Sequence, residues 1–191
     1  MLLIEWEKFR EYGFDTDEKL FTSMTVGIFD GMHLGHQALI EKIVSHNKEF
    51  IPAVITFRQN HKITNEQKDI LTFQQRLETF EKSGIKITVV IDFNEEFRQM
   101  SGEKFLEILL KNGNAGYFAV GSGFRCGYRL DTDAVTIQRF FTLHNIPAEI
   151  IPEICYPVEM EEYIPISSSR IRSAIASGNI LQAEAMLGYK I

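Results

Sequence analysis

Cysteine, proline and long apolar runs are scarce in this chain of 191 residues. Cys126 and Cys155 are the only cysteines, and they form no C-x-x-C arrangement, which favours two free thiols over a disulfide or a metal pair. No apolar run approaches the roughly 20 residues that a membrane-spanning helix needs. The N-terminus MLLIEWEKFR becomes charged after four apolar residues, so no secretory signal is expected. We therefore expect a cytoplasmic protein without a membrane partner.

An excess of positive charge is also missing. The 26 acidic residues outnumber the 20 basic ones, which gives a formal net charge of -6. Nonspecific nucleic-acid affinity comes from clustered lysine and arginine, so no nucleic-acid partner is expected. If the protein binds phosphates, it must do so with a few well-placed groups. The hydrophobic fraction of 45% and the length suit one globular domain covering residues 1–191.

Short apolar, β-branched runs alternate with segments of helical periodicity. The runs predict buried strands at Met24–Phe29, Ala53–Phe57, Ile87–Ile91, Tyr117–Val120 and Ala148–Ile151. Strands that alternate with helices pair in parallel, because each crossover returns the chain to the same end of the sheet. The expected fold is a Rossmann-like three-layer α/β/α sandwich with a mostly parallel sheet. Its ligands should bind at the carboxyl ends of the strands.

Helix boundaries are indicated by capping residues. The pair Thr72 and Gln75 forms a capping box, and apolar side chains at helical spacing follow it. Glycine favours the left-handed conformation just past a helix, and we expect that role for Gly84, Gly113, Gly178 and Gly188. The apolar face of an earlier helix should extend from Leu39 through Ile43 to His46.

The segment GIFDGMHLGHQ, residues 27–37, follows the first predicted strand and leads into a helix. A helix N-terminus offers unpaired N–H groups and partial positive charge, which suit a phosphate. His33 and His36 are three residues apart and should project to one side. A structural histidine pair, a zinc site with a third ligand elsewhere and a plain glycine turn are the alternatives. The position at a strand's carboxyl end favours the phosphate site.

The segment PISSSRIR, residues 165–172, opens a late helix. Its serines could simply be caps. Two arginines near a helix start oppose the helix dipole, however, and a bound anion would remove that conflict. We interpret the segment as a second phosphate-binding site.

The segment GSGFRCG, residues 121–127, follows the strand predicted at Tyr117–Val120. It is one residue longer than the dinucleotide fingerprint, and no helix is expected to start at its end. A ligand-contacting loop is the better interpretation. The chain has no G-x-x-x-x-G-K-[ST] motif, which argues against ordinary kinase or ATPase chemistry.

These motifs together resemble the HxGH nucleotidylyltransferases, and among them the FMN adenylyltransferase (FAD synthetase) module of bacterial riboflavin kinase/FAD synthetases. The segments VGIFDGMHLGHQALI and IPISSSRIRSAIASGNILQAEAMLG carry the resemblance, which runs from about Thr22 to Leu187. It implies transfer of AMP from ATP to FMN, giving FAD and pyrophosphate with Mg²⁺. No riboflavin kinase domain is expected within residues 1–191.

The resemblance also assigns residues. His33, His36 and Arg172 would be catalytic. The ATP-binding positions would be Gly27, Phe29, Asp30, Gly31, His33, Gly35, His36, Ser168, Ser169 and Arg172. The FMN-binding positions would be Phe57, His61, Gly123, Phe124 and Arg125. No metal ligand is assigned.

Two departures from the family pattern concern the flavin side. The family usually reads TF-x-Pro-His-Pro where this chain has TFRQNH at residues 56–61, and it has Asp or Asn where this chain has Gly123. They leave open an adenylyltransferase with a different phosphate-monoester acceptor, or a non-catalytic nucleotide- or flavin-binding regulatory module. The sequence does not decide the oligomeric state.

Overall fold

The structure is a computed structural model that describes residues 1–14, 21–59, 68–157 and 163–191. Its strands are β1 Leu2–Glu5, β2 Thr22–Val26, β3 Ile51–Phe57, β4 Ile87–Ile91, β5 Ala115–Gly121, β6 Arg125–Cys126, β7 Thr132–Asp133, β8 Ala148–Ile151, β9 Cys155–Pro157 and β10 Tyr163–Pro165. Its helices are α1 Trp6–Tyr12, α2 Leu34–Val44, α3 Phe73–Lys82, α4 Glu95–Arg98, α5 Gly102–Asn112, α6 Ala134–Leu143, α7 Ser168–Ala176 and α8 Ile180–Leu187. Two 3₁₀ turns lie at Asp30–Met32 and Tyr128–Leu130.

Six strands form one parallel sheet in the order β1-β4-β3-β2-β5-β8. From β2 the chain passes to β3 and β4 on one side, and later to β5 and β8 on the other. This reversal creates a switch point between β2 and β5, where the loops after the two strands diverge and leave a crevice. The pairs β6–β7 and β9–β10 are short antiparallel additions.

Helices cover both faces of the sheet, as expected for a three-layer sandwich. Side chains of α1, α5 and α6 pack on one face, in a cluster that includes Phe9, Phe105 and Phe141. Helices α2 and α3 cover the other face through residues such as Ile43 and Phe80. Strands β2 and β4 are buried along their whole length, which is typical of central strands in a parallel sheet. The predicted fold class is confirmed.

Helices α7 and α8 form a third apolar cluster beside the sandwich. Ile171, Ala183 and Leu187 are fully buried in it, and Leu34 at the start of α2 packs against it. Polar contacts strengthen this junction: the Gln37 amide donates to the Leu187 carbonyl at 2.7 Å, and the Tyr189 hydroxyl donates to the Gly31 carbonyl at 2.8 Å. The end of the chain is therefore packed directly on the loop that follows β2.

Several sequence expectations on local structure are corrected. Strand β2 ends at Val26 rather than at Phe29, because Phe29 has a left-handed φ of 59° that cannot continue a strand. Helix α2 ends at Val44, so His46 lies beyond it and packs against Tyr117 with tilted rings, 4.0 Å between ring centroids.

The expected helix ends are confirmed in part. The capping box at Thr72 and Gln75 is present, and Gly84, Gly178 and Gly188 have positive φ. Gly113 does not, since its φ is -86°. Glycine is needed there because an added Cβ would stand 2.7 Å from the Met24 methyl carbon. Among the described residues, no helix combines the length and apolar character that crossing a bilayer requires.

Candidate active site

A cleft of about 990 Å³ lies across the carboxyl ends of the parallel strands. Its walls are the loops that follow β2, β3, β4, β5 and β8, together with the start of α7. This is where a parallel α/β sheet places its ligands. Most of the residues that the sequence singles out line it: Gly27, Phe29, Asp30, His33, Gly35, His36, Phe57, Gly123, Phe124, Arg125, Ser168, Ser169 and Arg172. Gly31 is not among the lining residues, and His61 lies outside the described residues.

The loop after β2 makes a tight turn in left-handed conformation. Phe29, Gly31 and Met32 have φ values of 59°, 78° and 41°. Only glycine adopts such angles without cost, so the two larger residues need support from their surroundings. Phe29 has it: its fully buried ring packs edge-on against Phe80 at 5.4 Å and lies 5.1 Å from the His36 ring. The turn directs the N-terminus of α2 into the cleft.

His33 and His36 stack on each other at the start of α2. Their ring centroids are 3.7 Å apart and their planes differ by 20°. Gly35 makes room for the stack, because an added Cβ would stand 3.2 Å from Cε1 of His33. Burial lowers the pKa of His33 to about 4, so this imidazole is neutral at pH 7. Its Nδ1 has no hydrogen-bond partner among the described residues.

Zinc was one alternative for the histidine pair. Within the described ranges, no group of three or more His, Cys, Asp or Glu residues is arranged to hold a metal ion. Two stacked imidazoles at a helix start are suited to donating hydrogen bonds to phosphate oxygens.

Asp30 connects the loop after β2 to the start of α7. One carboxylate oxygen accepts hydrogen bonds from the backbone N–H groups of Ile70 and Leu71, at 2.8 and 3.3 Å. The other accepts from Nη1 of Arg172 at 2.5 Å, and the Asp30 carbonyl accepts from the Ser168 hydroxyl at 2.7 Å. Burial raises the pKa of Asp30, while the two backbone donors and Arg172 oppose that shift. The sequence pointed to Asp30 and Arg172 as separate ligand contacts, but they form an ion pair.

The start of α7 presents two serines and one arginine to the cleft. Ser167 caps the helix, since its hydroxyl accepts from the backbone N–H of Arg170. Ser168 and Ser169 follow in the first turn, and Ser169 accepts from Nη2 of Arg172 at 3.3 Å. Arg170 is exposed and is not among the cleft-lining residues, so the expected two-arginine site contains one arginine.

Arg172 retains hydrogen-bonding capacity despite its ion pair. Its side chain is 15% exposed, and its Nε has no partner among the described residues. Nε is itself buried, so a further hydrogen bond from it would need the side chain to move, whereas the residue already lines the cleft while it is paired with Asp30.

Aromatic side chains form a further part of the cleft wall. Phe57 closes β3, and its ring packs against Phe93 at 6.1 Å and Phe97 at 5.8 Å, both edge-on. Phe124, Tyr128 and Leu130 line the same cleft from the loop after β5. The sequence analysis missed Phe93 and Phe97. Phe93 comes two residues after β4, so the rule that ligands bind at strand ends could have found it.

The loop after β5 is fixed by a close backbone approach. Gly127 has a φ of 81°, and an added Cβ would stand 2.3 Å from the backbone nitrogen of Gly102 at the start of α5. Asp131 closes the contact, because its carboxylate accepts from the N–H of Gly102 and from the Thr132 hydroxyl. A 3₁₀ turn rather than an α-helix follows Gly127, which agrees with rejecting a dinucleotide fingerprint here.

Arg76 holds the loops after β2 and β3 together. Its side chain is fully buried, and it donates to the carbonyls of Ile28, Phe57 and Arg58 at 2.7, 3.0 and 2.9 Å. Burial lowers its pKa, although the cation still has these oxygen acceptors. The sequence pattern gave no sign of this role, because Arg76 lies in an otherwise amphipathic helix where a charged residue is expected to face water.

Comparison with known proteins identifies the family. The profile of the FAD synthetase family matches residues 15–170. The chain belongs to the FAD synthetase family. This confirms the resemblance drawn from the HxGH and Ser-Ser-x-x-Arg segments. Most of the cleft-lining residues named above fall within the matched range.

The relatives of this FAD synthetase family member include longer proteins. It is 30% identical over 182 residues to the bifunctional riboflavin kinase/FMN adenylyltransferase of Bacillus subtilis, covering 90% of this chain and 55% of that protein. The chain thus spans about half the length of the curated bifunctional relatives it matches.

Solved structures agree on the fold. A Streptococcus pneumoniae structure described as a macrolide-efflux protein superposes with a TM-score of 0.79 at 25% identity, covering 99% of this chain and 60% of that one. Pantoate-beta-alanine ligase from Francisella tularensis superposes with a TM-score of 0.55 at 12% identity, covering 98% of this chain and 85% of that one. The second likeness bears on the fold alone.

Proposed function

We propose that this chain is an FMN adenylyltransferase, which transfers AMP from ATP to FMN and releases pyrophosphate. Membership in the FAD synthetase family supports ATP and flavin as its substrates. The observation that carries the proposal is the stacked pair of His33 and His36 at a helix N-terminus, facing the same cleft as Ser168, Ser169 and Arg172.

The reaction joins a phosphate oxygen of FMN to the α-phosphorus of ATP. The bond from that phosphorus to the β-phosphate bridging oxygen breaks, and pyrophosphate leaves with its electron pair. Such transfers need positioning and charge neutralisation more than covalent help. The imidazoles of His33 and His36 and the N–H groups at the start of α2 would donate to ATP phosphate oxygens. Ser168, Ser169 and the guanidinium of Arg172 would hold the departing phosphates.

Magnesium belongs to this proposal. Mg²⁺ binds through substrate phosphates, water and one or two carboxylates, so it does not need a cluster of three protein ligands. When bound, it would neutralise the charge that develops on the leaving pyrophosphate. The cleft offers oxygen ligands of the kind Mg²⁺ prefers, since the Glu153 carboxylate lines it.

The aromatic part of the cleft wall supports a flavin as the acceptor. Phe57, Phe93, Phe97 and Phe124 present apolar surface to a cavity that groups suited to phosphates also line. A flat ring system with a phosphate on a flexible tail matches that combination. The altered segment at residues 58–61 and Gly123 both concern the flavin side, so the acceptor is tested directly.

The direct test incubates the protein with ATP and Mg²⁺, and with FMN or reduced FMN in parallel, and separates the flavins chromatographically. We expect FAD and one pyrophosphate per FAD. Absence of FAD in both reactions would refute the activity. Pyrophosphate release with another phosphate monoester but not with FMN would instead support a different acceptor. Riboflavin in place of FMN reveals whether the chain also phosphorylates riboflavin.

Replacing His36 separates catalysis from binding. We expect His36→Ala to lower kcat by about 10²–10³-fold, as loss of a preorganised donor to a transition state does, with ATP affinity nearly unchanged. His144→Ala is the matched control, because His144 is exposed at the end of α6 and does not line the cleft. A change in ATP affinity alone would favour a nucleotide-binding regulatory module.

A further inference from the structure

Glu153 is a carboxylate at the lip of the cleft that the family motifs do not account for. It comes two residues after β8 and lines the cleft beside the loop that follows β5. A Cβ added at Gly123 would stand 3.2 Å from Oε1 of Glu153. The φ of Gly123 is not in the left-handed region, so its backbone would accept other residues. The exposed Glu153 side chain therefore places its carboxylate directly against the position that a side chain at residue 123 would occupy.

Charge in the cleft sets Glu153 apart. Of the residues that the structure describes, two acidic ones line the cleft, Asp30 and Glu153. Asp30 is buried and paired with Arg172. The Glu153 carboxylate forms no hydrogen bond or ion pair with any residue in the described ranges. It is the cleft carboxylate with free ligand capacity.

The backbone holds Glu153 between two walls of the cleft. On one side, the N–H of Ser122 donates to the Ile151 carbonyl at 3.0 Å. On the other, the N–H of Ile166 donates to the Ile154 carbonyl at 2.8 Å. Residues 152 and 153 are thus held between the loop after β5 and the segment that leads to the serines at the start of α7.

A carboxylate facing a triphosphate would repel it unless a cation lay between them. Mg²⁺ satisfies both groups, since it combines one or two carboxylates with phosphate oxygens and water. We propose that Glu153, next to Gly123, is the protein ligand of the Mg²⁺ that accompanies ATP. This inference rests on the proposed function, because it takes ATP as the occupant of the cleft.

The test measures metal binding rather than turnover. Mn²⁺ replaces Mg²⁺ at oxygen ligands and is observed by electron paramagnetic resonance. Protein, Mn²⁺ and a non-hydrolysable ATP analogue are titrated for the native chain, Glu153→Gln and Glu49→Gln. Glu49 is an exposed control. It precedes β3, at the amino ends of the strands, and it does not line the cleft. We expect Glu153→Gln to weaken Mn²⁺ binding in the ternary complex by roughly tenfold or more, and Glu49→Gln to leave it unchanged.

Binding of the same analogue in EDTA distinguishes a metal ligand from a contact to the ribose hydroxyls. We expect Glu153→Gln to leave metal-free binding unchanged, or to improve it because a repulsive charge is removed. Equal losses with and without metal would overturn the assignment, as would unchanged Mn²⁺ affinity.

A relocated carboxylate supplies a second test. The double variant Gly123→Asp with Glu153→Gln should recover most of the lost Mn²⁺ affinity, because the two positions lie directly next to each other. Failure of this rescue in a double variant that is soluble and folded would place the metal elsewhere. If FAD still forms but the Mn²⁺ affinity of Glu153→Gln equals that of the native chain, this inference fails and the proposed function stands. If the analogue does not bind at all, the proposed function fails.

Discussion

Arg76 offers a quantitative test of how the cleft is built. Replacing it with methionine keeps most of the side-chain volume and removes the guanidinium. The carbonyls of Ile28, Phe57 and Arg58 then lose their shared donor, in surroundings that admit little water. Each buried acceptor left without a partner costs about 1–3 kcal/mol.

An opposing effect reduces the loss. Burial lowers the pKa of Arg76, which means that the cation is itself costly to desolvate, and its removal recovers part of that cost. The three carbonyls left without a donor lower the free energy of unfolding, and the recovered desolvation cost raises it. We expect a net loss of about 3 kcal/mol. Arg76→Lys should lose less, because an ammonium retains the charge but cannot reach all three acceptors.

The assay is urea denaturation followed by circular dichroism, with Arg139→Met as the control. Arg139 is an exposed residue of α6, and its replacement should change stability by no more than about 0.5 kcal/mol. A loss below about 1 kcal/mol for Arg76→Met would refute the view that one buried cation holds these two loops together.

Three further outcomes follow from the same geometry. A double-mutant cycle with Asp30→Asn and Arg172→Gln, measured by urea unfolding, should give a coupling energy of about 2 kcal/mol; additive effects would mean that the ion pair contributes nothing. Burial lowers the pKa of His33 from 6.5 in the unfolded chain to about 4 in the folded one, so between these pH values the unfolded chain binds the proton preferentially. The free energy of unfolding is therefore unaffected by His33 above pH 6.5 and decreases as the pH falls towards 4. Stability should drop by about 2 kcal/mol from pH 7.5 to pH 5, and His33→Asn should remove that part of the pH dependence. Gly113→Ala should destabilise the protein by about 2 kcal/mol or more in thermal or urea unfolding, because the new methyl group meets Met24 and a backbone carbonyl. Gly178→Ala is the control and should lose about 1 kcal/mol from its left-handed φ alone. Equal losses in the two variants would contradict this explanation.

The central strands were predictable because they are buried on both sides. The boundaries of β4 and β8 agree with the sequence expectation, since each apolar β-branched run is bounded by polar or turn residues. Strand β1 was not predicted. It lies at the edge of the sheet, and only Ile4 of its four residues is buried, so neither an apolar run nor a clean alternation marks it.

Side-chain roles were less predictable than element positions. The histidine spacing correctly indicated that His33 and His36 project together, because three residues make nearly one helical turn. The pairing of Asp30 with Arg172 joins residues 142 positions apart, and local patterns carry no information about such contacts. The same holds for Glu153, whose environment depends on which loops the sheet order brings together.

The cleft has a consequence for how the protein folds. Its walls come from loops after five strands and from α7, so they extend over the chain from Val26 to Arg172. No part of the chain can form this cleft alone, and it exists only once the whole parallel sheet has been assembled, which is slow because its contacts are distant in sequence. A nucleotide can therefore bind only the complete fold, and at a hundred times its Kd it adds about 2.7 kcal/mol to the free energy of unfolding. Hydrogen exchange should accordingly slow in β2 and in α7 together when nucleotide is added, although the two elements lie at opposite ends of the chain.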